Sequence, residues 1–209
     1  MRLLAIDTSS HLLSVALADD TNILNSEALY MERGQGEALI PLIQRLCNEA
    51  NCPIDTIQQV IVAVGPGSFT GVRIALAAAR GIGLSLNIPV IGLTNFEALT
   101  TLDMPYPLCV ALDTKRGDCY VQIFENNQKA NEPIILSPDS VVALNLPILT
   151  DNPALFNQAN VRLIQAPECP AENMINVVFR KPTAKHLPEP LYLREADVTV
   201  VSPKSIHDS

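Results

Sequence analysis

Positive charge is what this chain of 209 residues is short of. Fourteen lysines and arginines stand against 22 aspartates and glutamates, a formal net charge of −8. There is no basic run, and unaided binding to a polynucleotide needs a positive stripe to neutralise phosphates. Any nucleic acid is therefore expected to be held mainly by a partner. Histidine is scarcer still: His11, His186 and His207 lie far apart, with no HxxxH or HExxH pattern, which argues against a metal-centred hydrolase. The five cysteines (Cys47, Cys52, Cys109, Cys119, Cys169) are odd in number and irregular in spacing, so buried or incidental thiols are expected rather than a disulfide or metal framework. Long apolar runs are missing too. Met1 to Ile6 is too short for the core of a signal peptide, and Val72 to Leu86 carries Arg73 and Arg80 and reads as too short to span a bilayer. A soluble, cytoplasmic protein with no membrane association is expected.

What is present is a globular composition, 48% apolar and 17% charged, in a chain long enough for one large or two small domains. Its most informative stretch is Gly65-Pro66-Gly67-Ser68-Phe69-Thr70-Gly71-Val72-Arg73. It follows the apolar run Gln59–Val64 and opens an Ala-rich helix, so it is a strand-to-helix turn rich in glycine. Such turns aim backbone N–H groups and the positive end of the helix dipole at anions. Gly65, Gly67, Ser68, Thr70 and Gly71 are accordingly a candidate anion site. The turn nevertheless fails the P-loop pattern for want of a lysine, the GxGxxG pattern because Thr70 stands where the third glycine belongs, and GxSxG because Pro66 and Thr70 flank Ser68. As nucleophiles, Ser68 and Thr70 lack a histidine or lysine base at any recognisable spacing. Capping of the following helix accounts for them better.

A shift of 106 residues lays one half of the chain on the other. Leu4-Ala5-Ile6-Asp7-Thr8 meets Val110-Ala111-Leu112-Asp113-Thr114, and Val15-Ala16-Leu17 meets Val121-Gln122-Ile123 without a gap. The pattern predicts strands over Leu3–Thr8, Leu13–Ala18, Ile23–Leu29, Gln59–Val64 and Val90–Leu93. It predicts helices over Glu37–Ala50, Phe69–Leu86 and near Phe96–Leu102, with Pro41 in the first turn of the first of them. Pro105 and Pro107 mark a boundary between residues 1–103 and 104–209. Beyond it come a hairpin over Leu108–Glu125, helices at Ser137–Leu144 and Ala171–Phe179, short strands at Ile148–Leu149 and Arg162–Ile164, and a loose tail after Arg194. Asp7 and Asp113 head the two copied turns. Either they are a vestigial nucleotide cleft, or each caps its turn by accepting backbone N–H groups. One glycine between the two turns provides poorly for close approach to phosphate.

These residues resemble the TsaB (YeaZ) proteins, partners in making threonylcarbamoyladenosine on tRNA. The likeness rests on GPGSFTGVRIA after a strand and on five satellites. These are Leu3 to Ser9; Arg33 and Glu37, where the family has R-x-H-S-E and this chain has Gln35 and Gly36 between; Asn87 to Leu93, which resembles the family's next strand; Asp113 to Tyr120; and Leu191-Tyr192-Leu193-Arg194. The resemblance implies an α/β protein of the actin-like ATPase (ribonuclease-H-like) fold, with two duplicated halves. It implies a non-catalytic subunit required with a TsaD-like metal-bearing catalytic subunit and a TsaE-like P-loop ATPase. Together they would transfer a threonylcarbamoyl group to the adenosine next to the anticodon in tRNAs reading ANN codons. No cofactor is expected on this chain alone; ATP and metal belong to the partners, tRNA is met through the complex, and a homodimer through the same surface is implied. A helix apolar on nearly every face, with Ala75, Ala79 and Gly83 leaving it low, then reads as the partner interface together with Leu42, Val72, Arg73 and Leu76. On that reading Ala79→Glu would leave the monomer folded and abolish pairing. The alternatives are an ATP-binding actin-like enzyme and an inactive, glycoprotease-like regulator of proteolysis.

Overall fold

The computed structural model describes residues 1–100, 104–126, 130–156, 160–180 and 188–194; His186, His207 and the tail expected to be loose after Arg194 lie outside them. The strands β1 (Arg2–Asp7), β2 (Leu12–Asp19) and β3 (Asn22–Tyr30) form an antiparallel meander, and β4 (Gln59–Ala63) and β5 (Val90–Leu93) join it in parallel, in the order β3-β2-β1-β4-β5. The residues Leu3–Ile6 and Val60–Ala63 are wholly buried, which is why these two strands read as continuous apolar runs rather than alternating ones. The helices α1 (Gln35–Glu49) and α2 (Phe69–Leu86) cover one face with Leu39, Leu42, Ile43, Leu46, Val72, Ala75, Leu76 and Ala79. Because α1 begins two residues earlier than expected, after Gly34 at φ 89, Pro41 lies inside the helix and not in its first turn. Pro41 is exposed, so the Glu37 carbonyl it cannot bond opens toward water.

A second five-stranded sheet repeats that order. The strands β6 (Leu108–Asp113), β7 (Cys119–Phe124) and β8 (Ile134–Leu136) are antiparallel, and β9 (Ile148–Thr150) and β10 (Leu163–Gln165) add in parallel beside β6. Between β8 and β9 lies α4 (Pro138–Ala143), capped by Ser137, and its Val141 packs on Cys109, Ala111, Cys119 and Val121. The last helix of each half crosses to the other. After β5, α3 (Asn95–Leu99) sends Phe96 and Leu99 into the second sheet against Leu108, Val110 and Leu112. After β10, α5 (Pro170–Arg180) lays Ala171, Met174, Ile175 and Val178 on Leu3, Ala5, Ala16 and Ala18 of the first sheet.

The duplication is real, but its gap-free register is not. Ala5 pairs with Ala16, whereas Ala111 pairs with Val121, so one strand of the copy is offset by one residue. Burial shows which strand. Leu4 and Ile6 face α1 and α2, while Val110 and Leu112, 106 residues on, face α3 on the other side of their sheet. A one-residue slip turns every side chain over. The second hairpin therefore carries one more residue between equivalent pairs, and by strand register the counterpart of Asp113 is Thr8, not Asp7.

Candidate functional site

The glycine-rich turn is shaped by the protein rather than by a ligand. A Cβ on Gly67 would lie 2.3 Å from the Ser9 carbonyl oxygen, and one on Gly71 only 2.0 Å from that of Thr8, so α2 can begin against the β1–β2 turn only without those side chains. Hydrogen bonds fix the approach. The Ser68 N–H donates to the Ser9 carbonyl at 2.6 Å, and the Thr8 hydroxyl donates to the Gly71 carbonyl at 2.6 Å. Ser68 caps α2 by accepting the Gly71 N–H at 3.2 Å. Two donors of the candidate anion site, Ser68 and Gly71, are thus spent inside the chain, while Ser68 and Thr70 still line the cavity beside the turn. Asn95 closes the knot: its Nδ2 donates to the Ser9 hydroxyl at 2.6 Å and to the Pro66 carbonyl at 2.7 Å, and its N–H to the Gly65 carbonyl at 2.8 Å.

Both aspartates accept the N–H two residues on, Ser9 to Asp7 at 2.8 Å and Lys115 to Asp113 at 2.7 Å. They differ in surroundings. Burial pushes the Asp7 carboxyl above its ordinary range, and hydrogen bonds from the Ser9 hydroxyl and N–H oppose this only in part. Burial also pulls Asp113 upward, but there the Lys115 ammonium at 2.9 Å and the Asn152 amide at 2.7 Å outweigh it and hold the carboxyl low. Asp151, which accepts the Asp113 N–H at 2.9 Å, is raised by burial.

Between the halves lies a cavity of about 830 Å³, walled by Arg33, Glu37 and Ser68 on one side and by Asp113, Lys115 and Tyr120 on the other. A smaller one of about 80 Å³ is lined by Asp7, Asn95 and Asp151. Arg33 and Glu37 therefore reach the same cavity as the glycine-rich turn. In place of an imidazole, Gln35 donates from Nε2 to the Ser10 and Met31 carbonyls, both at 3.2 Å, and ties α1 to the first turn.

The residues expected at a partner interface are placed otherwise. Leu42, Val72, Ala75, Leu76, Ala79 and Gly83 are all buried against the chain's own sheet, and a Cβ on Gly83 would collide with Val90 at 2.3 Å. Of that set only Arg73 is exposed, and it is engaged, donating to the Tyr192 hydroxyl at 3.0 Å and lying 3.5 Å over the Phe69 ring. The open side of α2 is Ala77, Arg80, Gly81, Leu84 and Ser85. At 18 residues α2 is also long and apolar enough to cross a membrane, so its exclusion on length does not hold; its packing on β4, β1 and β5 makes it a core helix. The thiols of Cys47, Cys109 and Cys119 are pushed up by burial to about 11, 12 and 12, which leaves them unreactive near neutrality. Sequence reasoning missed Asn95 and Asp151. The Thr94-Asn95-Phe96-Glu97 stretch is a capping box and could have pointed to Asn95, whereas Asp151 gives no such signal.

A family model described as TsaD, tRNA N6-adenosine threonylcarbamoyltransferase, matches residues 30–181. The chain belongs to that family, on its TsaB (YeaZ) side. It is 28% identical to the tRNA threonylcarbamoyladenosine biosynthesis protein TsaB of Bacillus subtilis over 75% of this chain and 70% of that one. It is 28% identical to TsaB of Escherichia coli over 61% and 57%, and 29% identical to TsaB of Haemophilus influenzae over 57% and 52%. The matched part thus spans little more than half of these last two relatives. Among solved structures, YeaZ from Pseudomonas aeruginosa has a TM-score of 0.74 at 22% identity, covering 92% of this chain and 99% of that chain. An activator of 2-hydroxyisocaproyl-CoA dehydratase from Clostridium difficile, solved with bound ADPNP, has a TM-score of 0.54 at 10% identity, over 90% and 99%. The fold is that of the actin-like ATPases, in two α/β halves.

Proposed function

We propose that this TsaB-family chain serves tRNA threonylcarbamoyladenosine biosynthesis as a non-catalytic subunit, working with a TsaD-like metal-bearing catalytic subunit and a TsaE-like ATPase. The observation that carries the reading is the close contact of Gly67 and Gly71 with Ser9 and Thr8. The glycines that would bring backbone up to a phosphate instead bring two turns of the protein together. The frame of a nucleotide-binding fold is kept while its phosphate cradle is filled by protein. The surface offered to a partner is the open side of α2, where Leu84 is 86% exposed, together with Ile40 on α1 at 51%. The net charge of −8 leaves tRNA to the rest of the complex. Chemistry, ATP and metal then sit on the partners.

Mass spectrometry of total tRNA nucleosides after depletion of the protein in its host tests this. Threonylcarbamoyladenosine should fall, and return with the wild type but not with an Ile40→Glu/Leu84→Glu variant. An unchanged level sinks the reading. The cavity of about 830 Å³ walled by both halves favours a second reading, an ATP-binding enzyme in its own right. Saturable heat of Mg-ATP binding to the isolated chain would support it.

A further inference from the structure

Residues 188–194 lie along the first half and end on the second, touching both turns that wall the large cavity. Arg80, on the open side of α2, donates from Nε to the Pro188 carbonyl at 3.0 Å. The Leu191 N–H donates to the Val64 carbonyl at 2.7 Å, and the Leu191 side chain joins the core under α1 and α2. Its carbonyl oxygen stands 3.0 Å from where a Cβ of Gly65 would be, so the segment rests on the glycine-rich turn. Tyr192 packs on Phe69 with ring centroids 5.1 Å apart and accepts the Arg73 hydrogen bond. Leu193 then packs with the core under the second sheet, and Arg194 pairs with Asp118 at 2.5 Å. Asp118 in turn holds the second turn closed: its carbonyl accepts the Thr114 N–H at 3.2 Å and the Thr114 hydroxyl at 3.0 Å, and Thr114 and Lys115 line the cavity.

We propose that residues 188–194 are a clasp that fixes the spacing of the two halves at the cavity. The halves already share a deep connection, the exchanged helices α3 and α5, which are packed among fully buried residues. The clasp is a link of another kind. Tyr192 is 39% exposed, and the Arg194 and Asp118 side chains are 28% and 26% exposed. Contacts so placed open and reclose without the cores, because local opening follows the least buried contacts. When the clasp lets go, the glycine-rich turn and the Asp113–Asp118 turn lose their common tie, and the cavity between them widens about the α3–α5 contact.

Hydrogen–deuterium exchange on the full chain tests the clasp. In a Tyr192→Ala/Arg194→Ala variant, amides of residues 67–71 and of residues 114–118 should both exchange at least tenfold faster, with β1 and β4 unchanged. Asp118→Ala breaks the link from its other end while keeping the backbone carbonyl that accepts from Thr114. It should raise exchange at residues 114–118 and at the Leu191 amide in the same way. Faster exchange confined to residues 188–194 would overturn the proposal, since the segment would then fasten only itself. Faster exchange through β1 and β4 as well would also overturn it, since the segment would then be part of the core.

Discussion

Glycines 71 and 81 sit ten positions apart on one helix and have opposite duties. A Cβ at Gly71 meets the Thr8 carbonyl at 2.0 Å, a backbone atom held in a strand-to-strand turn, whereas one at Gly81 meets nothing within 4 Å. Gly71→Ala is expected to cost about 3 kcal/mol or more through displacement of the turn. Gly81→Ala should instead stabilise by about 0.5–1 kcal/mol, as alanine does in an open helix interior. Urea unfolding of the two variants side by side checks both signs. Asp7 gives a pH-dependent case. Its carboxyl is buried, with its folded value raised above 3.8, so the unfolded chain gives up the proton first as pH rises. Stability attributable to the protonated group is therefore intact below that value and is lost as pH climbs through the higher, folded one. Asp7→Asn keeps an oxygen for the Ser9 donors and removes the buried charge. Its stability should match the wild type near pH 3.5 and exceed it at pH 7. Denaturation midpoints measured across that range would contradict this if the two curves stayed parallel.

At the scale of the element, α2 shows what a sequence can and cannot disclose. Its bounds, Phe69–Leu86, were legible from the Ser68 cap at one end and Asn87 at the other, now in a left-handed C-cap at φ 53. Which side faces the sheet was not legible. Ala75, Ala79 and Gly83 look inward, but Ala77, Gly81 and Leu84 are just as apolar and look out, so periodicity had nothing to choose between. Ala79→Glu consequently places a carboxylate at a position with no exposure, and is expected to unfold the chain at a cost above about 3 kcal/mol. Leu84→Glu should leave the melting temperature within a degree or two. Circular dichroism melts of both variants decide the matter. The same limit acted on the second half. The strand β8 has three residues between Pro133 and Pro138 and was not foreseen, and the one-residue difference between the two hairpin turns left no mark in a pattern of alternating apolar residues. The glycine-rich turn stood out in the sequence, whereas the contact that explains it joins residues 63 positions apart, Thr8 and Gly71.

On the scale of the molecule, the exchange of α3 and α5 joins two sheets that follow one another in the chain. Asn173 on α5 donates from Nδ2 to the carbonyls of Ala98 and Thr100, at the end of α3, from a position only 8% exposed. Asn173→Ala leaves those carbonyls short of a buried donor and should cost about 2 kcal/mol. Because each half covers the other's apolar face, the wild type should unfold in one transition, with near- and far-ultraviolet dichroism coinciding throughout a urea titration. The crossing helices also bear on how such a chain can be cut. A gene split in the linker before β6 yields one fragment whose Leu3, Ala5, Ala16 and Ala18 lie bare, and another carrying the α5 that fits them. Made alone, each fragment should precipitate; made together in one cell, they should find each other and reconstitute the whole without a peptide bond between them.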